Sequence, residues 1–207
     1  MADPVLVLDG VTRFYGKTRS GVDGLTLRLA PGECYGLLGR NGAGKTTALR
    51  LVMGMLKPAA GTVRLFGLDP FAVPEKARLR VGYLAEDQEA PGMITPADLF
   101  RLYADLYPGW DDGFARSLAG RLHLPLGQKL SSMSKGQKRQ AGLVAAVAHR
   151  PALLVLDEPG GGLDPVVRRE FLEQVVELLS AGGTTVLFSS HHLHEVERIA
   201  GRIGILH

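Results

Sequence analysis

Apolar and polar residues are distributed along this chain in short runs that predict an α/β fold. Residues 25–29 alternate with a period of two, as in a strand with one buried face. Other runs are mainly apolar, as in strands buried on both faces, and they lie at residues 5–8, 33–38, 62–66, 81–84, 153–156, 184–189 and 203–206. Helical patterns fall between them, at residues 46–54, 75–80, 165–180 and 191–200. Strands that alternate with helices indicate a sheet with helices packed against it.

A second region, between residues 95 and 150, shows no strand pattern and predicts a helical subdomain inserted at about residues 90–150. Thr95 followed by Pro96 is a helix start, because threonine caps a helix and proline suits its first turn. Asp111 or Asp112 begins the next helix. Trp110 lies at the break between the two helices, where it either fills the core or contacts a partner.

The composition describes one soluble domain. The 207 residues are 45% hydrophobic and carry a net charge of +3, too small an excess to indicate nucleic acid as a partner. The chain starts without a signal-peptide pattern, and it has no run of about 18 apolar residues that would span a membrane. Cys34 is the single cysteine, which excludes an intrachain disulfide and indicates a buried, inert thiol. We expect one cytoplasmic domain over residues 1–207, with an incomplete C-terminus because the pattern stops within a final strand.

Phosphate-binding chemistry is indicated by a glycine-rich loop between an apolar strand and an apolar helix. The loop has the pattern G-x-x-x-x-G-K-T and consists of Gly39, Arg40, Asn41, Gly42, Ala43, Gly44, Lys45, Thr46 and Thr47. Gly42 and Gly44 allow a turn in which backbone N–H groups point at anionic oxygens, and the N-terminus of the next helix also favours phosphate. Lys45 reaches the β- and γ-phosphates, and the Thr46 hydroxyl ligates Mg²⁺. Function therefore starts from a bound nucleoside triphosphate.

Two acidic residues follow the apolar run at residues 153–156. Ligands of open α/β sheets bind at the carboxyl ends of strands, so Asp157 is placed to hold Mg²⁺ opposite Thr46. Glu158 then points a carboxylate at the γ-phosphate, where it would polarise the attacking water. Two adjacent acids can also form a solvated turn, but the P-loop favours the catalytic interpretation. Tyr15, ahead of the P-loop, is either a half-buried residue at a strand end or a stacking partner for adenine.

At this point the chain resembles ABC-type ATPases over essentially its whole length. Residues 156–159, Leu-Asp-Glu-Pro, look like the Walker B motif with its catalytic glutamate. Residues 133–137, Met-Ser-Lys-Gly-Gln, look like the L-S-G-G-Q signature. Residues 162–164 resemble the D-loop and residues 189–191 the switch-histidine loop. Tyr15 falls where the family has its adenine-stacking aromatic. Each minor motif is weak alone, but all occur in the family's order.

The resemblance implies a P-loop NTPase core with a mixed sheet, an N-terminal antiparallel β region and an inserted helical subdomain that carries the signature. It implies ATP and Mg²⁺ as cofactors, with Glu86 as an oxygen ligand to the metal beside Thr46 and Asp157. Two such subunits close head-to-tail on two ATP molecules, each held between one P-loop and the other subunit's signature, and hydrolysis reopens the dimer. It implies that Glu158 polarises water and that His191 contacts the γ-phosphate. It implies that Asp164 communicates across the interface. The signature residues that it implies are Ser134, Lys135, Gly136 and Gln137.

The sequence departs from the family pattern at three places. Lys135 replaces the first glycine of the signature and adds a cation where the γ-phosphate would dock. Glycines at residues 160–161 stand where the family usually carries Thr and Ser, which predicts a looser backbone. Glu86 aligns with the Q-loop glutamine and Gln88 lies two places later, so either is a candidate for that role. Glutamate there, with residues 107–111, resembles ATPase subunits of bacterial ABC-2-type exporters, whose membrane parts are separate chains.

Three histidines lie close together at the end of the chain. His192 and His194 are expected on the surface of a helix. Together with His191 they suggest a metal site as an alternative, but no cysteine or suitably placed acid completes a zinc shell.

Three functions remain open from the sequence. The first is an energy-coupling ATPase at the cytoplasmic face of the membrane, a homodimer or heterodimer docked on separate transmembrane chains through the segment between Glu86 and Trp110. The second is a soluble ABC-type ATPase acting on ribosomes or DNA, although the chain lacks a second cassette, a coiled coil and basic arms. The third is a nucleotide-gated binding module with little turnover, against which the intact Lys45, Asp157 and Glu158 argue.

Overall fold

The structure is a computed structural model that describes residues 3–16, 20–72, 74–87, 91–161 and 163–207. Its strands are β1 (Leu6–Tyr15), β2 (Ser20–Leu29), β3 (Cys34–Gly39), β4 (Ala60–Leu65), β5 (Val81–Leu84), β6 (Leu153–Leu156), β7 (Thr185–Ser190) and β8 (Arg202–Leu206). Its helices are α1 (Lys45–Val52), α2 (Glu75–Arg78), α3 (Pro96–Leu106), α4 (Asp112–Arg121), α5 (Lys135–Val147), α6 (Pro165–Gly182) and α7 (Leu193–Ile199). Within the described ranges, no helix is both long enough and apolar enough to cross a membrane.

The strands form two sheets. In the antiparallel sheet β1 lies between β2 and β4, and Leu8 pairs with Leu27 on one side and with Val63 on the other. The second sheet has the order β5-β6-β7-β3-β8, and its neighbouring strands pair in parallel. The predicted fold class is confirmed. The antiparallel and parallel strands occupy separate sheets in the described part of the chain.

Strand β6 contributes side chains to two hydrophobic cores, one on each face of the parallel sheet. Its side chains point alternately to opposite faces, so Leu153 and Val155 pack with the antiparallel sheet and α1. Leu154 and Leu156 pack on the other face, with helices α3 to α7. A strand with both faces buried has no polar positions, which is why residues 153–156 are all aliphatic.

The parallel sheet brings four loops to one edge. The carboxyl end of β3 leads into the P-loop, β5 into Glu86, β6 into Asp157, and β7 into His191. This common edge is where ligands of open α/β sheets bind. Cys34 begins β3, where burial raises the pKa of its thiol to about 11, so the thiol stays protonated at neutral pH as expected for an inert residue.

The helical region begins as its sequence predicts. The Thr95 side chain accepts a hydrogen bond from Asp98 N, and the Asp98 side chain accepts one from Thr95 N, which closes a capping box at α3. Asp111, and not Asp112, caps α4 by accepting from Phe114 N at 2.8 Å. The Trp110 ring is partly buried, and its centroid lies 5.9 Å from that of Phe100. Its position therefore favours the core-filling role.

Several boundaries differ from the sequence predictions. β1 is ten residues long and contains Tyr15 at its end, because β1 pairs with β2 beyond the apolar run. Helix α7 begins at Leu193, so the prediction of a helix from His191 is wrong at its start. His192 precedes the helix, with φ −107°, because its backbone is still extended there. Gln88 and Gly162, which the sequence assigned to the Q-loop and the D-loop, lie outside the described residues.

Candidate functional site

The P-loop is held in place by a strand behind it. Gly44 has φ 98° and caps α1, and Gly42 has φ 87°, so both adopt left-handed conformations that favour glycine. A Cβ added at Gly44 would lie 2.0 Å from the backbone oxygen of Gly21 in β2. Glycine at position 44 is therefore required both by the backbone angle and by this close contact.

Lys45 turns back over its own loop. Its side chain is buried, and Nζ donates to the backbone oxygens of Gly39 at 2.7 Å and Arg40 at 3.2 Å. Nζ also lies 3.0 Å from Glu158 Oε1, which makes a buried ion pair. The geometry of this pair is not that of a hydrogen bond, and within the described residues Oε1 has no hydrogen-bond donor. Phosphate oxygens would compete with Glu158 for the lysine charge.

Glu158 is fixed on three sides. Its backbone has φ 44°, an uncommon value for a residue other than glycine, and its N–H donates to Ser189 Oγ at 2.8 Å. The Ser189 hydroxyl donates in turn to Asp157 Oδ1 at 2.7 Å. His191 Nδ1 lies 2.8 Å from Glu158 Oε2. Loops that follow β6 and β7 thus hold one carboxylate against the P-loop lysine.

A cavity of about 400 Å³ lies between these loops. Tyr15, Glu86 and Glu158 line it together with Gly21 and the P-loop residues Asn41, Gly42, Gly44, Lys45, Thr46 and Thr47. Tyr15 is exposed over 38% of its surface, and the Arg13 guanidinium carbon lies 5.9 Å from the centroid of its ring. Gly39, Arg40 and Ala43 line a second cavity on the other side of the loop, together with His191.

Glu86 stands in an acidic environment. Burial raises the pKa of its carboxyl, and the negative charges of Asp157, Asp87 and Glu158 raise it further. A cation placed among these oxygens would relieve that repulsion. Within the described ranges, no group of three or more His, Cys, Asp or Glu side chains is arranged to hold a metal. The oxygen ligands here suit a Mg²⁺ ion that also binds phosphate.

The signature residues lie apart from the P-loop cavity. Ser134 caps α5, where its Oγ accepts from Gln137 N at 3.2 Å and its N–H donates to Gln137 Oε1 at 3.0 Å. Lys135 lines a different cavity, of about 620 Å³, beside Glu86. A Cβ added at Gly136 would contact Leu163 at 3.4 Å. None of these four residues lines the described wall of the P-loop cavity.

Hydrogen bonds connect the D-loop region to the start of α6. Asp164 caps α6 by accepting from Val166 N and Val167 N, both at 3.1 Å. Gly161 N donates to Glu158 O at 2.8 Å, and Gly160 O accepts from Arg168. One local turn bond and one bond from Arg168 therefore hold the backbone at the two glycines, and its looseness relative to the family stays a prediction.

The sequence of this chain matches a known protein family. The model of the ABC transporter family matches residues 22–161. The chain belongs to the ABC transporter family. It is an ATP-binding domain whose ATP hydrolysis drives a transporter.

Individual relatives of this ABC ATPase cover nearly all of its length. The Nod factor export ATP-binding protein I of Paraburkholderia xenovorans is 37% identical over 216 residues, which cover 100% of this chain and 69% of that protein. The bacitracin transport ATP-binding protein of Enterococcus faecalis is 37% identical over 205 residues, which cover 98% of this chain and 66% of that protein. The chain thus spans about two thirds of the length of these relatives.

A solved structure agrees with the fold over the whole chain. The ATP binding subunit of an ABC transporter superposes with a TM-score of 0.83 and 29% identity, covering 98% of this chain and 86% of that one. The arrangement of two sheets and a helical region is therefore that of an ABC ATPase.

Sequence reasoning missed one residue of this ABC ATPase, Arg139. Its guanidinium is buried and donates five hydrogen bonds of 2.5 to 3.2 Å to backbone oxygens. Burial lowers the pKa of Arg139, and the charges of Asp157 and Glu86 oppose this. The acceptors are Ala85, Glu86, Asp157, Glu158 and Pro159. One signal was present in the sequence, since residues 139, 143 and 146 share the apolar face of α5.

Proposed function

We propose that this ABC ATPase powers an exporter as one half of an ATP-closed dimer at the cytoplasmic face of a membrane. The observation that carries the proposal is the Glu158 carboxylate, held between Lys45 and His191 at the edge of the P-loop cavity. Export is favoured because two relatives of 37% identity are named for the export of Nod factor and the transport of bacitracin. The transported substrate would be chosen by the membrane chains.

The dimer is supported by the position of the signature. Ser134 and Gly136 open a 13-residue helix whose N-terminus favours anions, yet they lie outside the P-loop cavity of their own chain. A second ATPase subunit, identical or related, would bring its signature to that cavity. Lys135 would then add a positive charge near the γ-phosphate. Asp164 lies at the start of α6, where it would face the partner across the interface.

Each residue around the cavity has a role in the proposed reaction. Tyr15 stacks on adenine, and the P-loop N–H groups bind the phosphates. Lys45 leaves Glu158 for the β- and γ-phosphates and neutralises charge that develops during transfer. Glu158 then accepts a proton from the attacking water, and His191 contacts the γ-phosphate and orients the carboxylate.

Magnesium has a set of suitable oxygen ligands at this edge. The Thr46 hydroxyl and the Asp157 and Glu86 carboxylates would hold it, with phosphate oxygens and water completing its shell. The bound ion would neutralise phosphate charge. Glu86 fits this role by its place in the cavity wall, and Gln88 is the alternative for the Q-loop position.

The membrane partner is proposed to dock on the segment between Glu86 and Trp110. Three large apolar side chains are exposed there, with exposed fractions of 83% for Met93, 50% for Leu102 and 57% for Leu106. The cavity of about 620 Å³ opens beside them. A helix of a transmembrane chain would cover this apolar surface.

The docking proposal is tested by purifying the tagged chain from its native membrane and identifying what co-purifies. Leu102→Glu should lose a multi-span membrane protein, because a buried charge opposes docking. Leu68→Glu is the matched control, since Leu68 is an exposed leucine in the turn after β4 and should keep the partner. Recovery of ribosomes or DNA instead, with ATPase activity intact, would favour the soluble function.

A further inference from the structure

Two neighbouring histidines follow β7 and contact different parts of the site. His191 Nδ1 lies 2.8 Å from Glu158 Oε2. His192 Nε2 lies 2.8 Å from Arg168 Nη1 on α6. The centroids of the two rings are 3.9 Å apart. The segment after β7 therefore connects the proposed catalytic carboxylate with α6.

Arg168 extends this connection to the D-loop. Its Nε donates to Gly160 O at 3.0 Å, and its Nη2 donates to Leu163 O at 2.9 Å. A guanidinium only donates hydrogen bonds, so His192 Nε2 must accept. The planar Arg168 guanidinium thus binds the carbonyl groups of Gly160 and Leu163. It also contacts the His192 ring.

The absence of a side chain at Gly160 is part of this arrangement. A Cβ added there would lie 2.7 Å from Arg168 Cγ and 3.0 Å from Cδ. Distances this short would force the arginine stem to move. The stem of Arg168 therefore occupies the space that a larger residue at position 160 would need.

We propose that Arg168 and His192 are positioning residues that couple the backbone at Gly160 and Leu163 to Glu158 through His191. The arginine fork fixes the direction of the His192 ring, and the peptide between the histidines then fixes His191. A displacement of the Gly160 and Leu163 carbonyls would be transmitted along this path to the Glu158 carboxylate. The inference rests on the proposed roles of Glu158 and His191 in hydrolysis.

The test measures kcat, KM for ATP and the melting temperature of purified variants in the full chain. His192→Ala and Arg168→Gln should each lower kcat about tenfold, because the general base is misplaced, while KM changes less than about twofold. His192→Gln should keep kcat within about threefold of the parent, because its amide oxygen also accepts from Arg168. His192→Lys should lose as much as His192→Ala, because two cations repel.

A matched control and a double variant separate positioning from simple stabilisation. Arg169→Gln makes the same change one residue away, where the arginine is exposed and pairs with Glu173 at 3.0 Å, and kcat should not change. Arg168→Gln combined with His192→Ala should be no slower than the worse single variant, because both break one path. His192 is only partly buried, so its variants carry the test if Arg168→Gln fails to fold.

Two results would overturn the inference. One is a kcat within about twofold of the parent in both His192→Ala and Arg168→Gln, even with a lower melting temperature. The other is a double variant whose kcat loss is the product of the two single losses. Glu158→Gln is measured beside them, and its undiminished turnover would refute the proposed role of Glu158 separately from this coupling.

Discussion

Lys45 Nζ lies 3.0 Å from Glu158 Oε1, so the P-loop lysine and the carboxylate after β6 form one buried ion pair. In the proposed reaction the pair would couple ATP binding to catalysis, because a phosphate that binds Lys45 would free the Glu158 carboxylate to accept a proton from water. The positive charge of Lys45 is therefore already paired with a carboxylate before a phosphate binds.

Replacing Glu158 should therefore lower turnover without weakening the binding of ATP. Glu158→Gln removes the proton acceptor and should lower kcat by at least about a hundredfold. It also removes the negative partner of Lys45, so ATP should bind as tightly as in the parent or several-fold more tightly. Single-turnover hydrolysis and equilibrium ATP binding measure the two effects. A weaker affinity for ATP in this variant would contradict the competition for Lys45.

Ser134 should have two separable roles, because it caps α5 and also belongs to the proposed trans site. Ser134→Ala should lower the free energy of unfolding by about 1 kcal/mol, as for other capping residues. It should also lower ATPase activity about tenfold, because a donor to the γ-phosphate of the opposing subunit is lost.

Thr95→Ala is the matched control for this prediction. It removes the other capping box of the helical region, at α3, and should cost about the same stability. ATPase activity should stay within about twofold of the parent, because Thr95 does not line the P-loop cavity. Equal losses of activity in the two variants would show that Ser134 acts through stability alone.

Gly44 should tolerate no side chain. Gly44→Ala places a Cβ 2.0 Å from Gly21 O at φ 98°, so the loop must shift and ATP binding should weaken by at least about tenfold. Gly67→Ala has a similar φ of 79°, but nothing lies within 4 Å of its added Cβ. That control should lose about 1 kcal/mol of stability and keep its affinity for ATP. Thermal unfolding and ATP titration of both variants measure these effects.

His149 should make the stability of the chain depend on pH in the acid range. Its ring is buried and stacks on Tyr107 with centroids 4.0 Å apart. Burial lowers its pKa, and the nearby backbone groups of Val81 and Ala145 oppose this in part, although neither ring nitrogen of His149 makes a hydrogen bond of good geometry within the described residues. A lowered pKa means that the folded state binds fewer protons than the unfolded state. The contribution of the neutral His149 ring to the free energy of unfolding is therefore fully present above about pH 6.5, and it is lost as the pH falls.

Thermal unfolding at several pH values between about 7.5 and 5 tests this sign. His149→Phe keeps the stacked ring and removes the titrating group, so its melting temperature should fall less on acidification than that of the parent. His194→Phe, at a side chain that is 97% exposed, should behave like the parent. An identical acid response in His149→Phe and the parent would contradict the prediction.

Local sequence patterns predicted much of the fold, because many elements are determined by residues within the element itself. The bounds of β5 and β6 agree with their apolar runs, and Thr95 followed by Pro96 marks the start of α3. The P-loop was predicted with its strand and its helix, since the motif works only in that context. β1 was predicted too short because its second half is stabilised by pairing with β2. That pairing joins Val11 to Leu25 and Tyr15 to Ser20, so it depends on the following strand and not on the apolar pattern of β1 itself.

Contacts to backbone oxygens could not be predicted in the same way. The five acceptors of Arg139 are peptide carbonyls, which every residue carries, so no side-chain pattern marks them. His192 was assigned to a helix surface because its neighbours follow a helical pattern. The structure instead places it ahead of α7 against Arg168, a contact across 24 residues.

The hydrogen bonds of Arg139 connect one helix to two loops of the site. Its guanidinium joins α5 to the backbone at Glu86 on one side and at Glu158 on the other. A tilt of α5 would therefore move the backbone at Glu86 and the backbone at Glu158 together. A membrane partner that pushes on the helical region would move the two carboxylates together, and the timing of hydrolysis would follow the position of one helix.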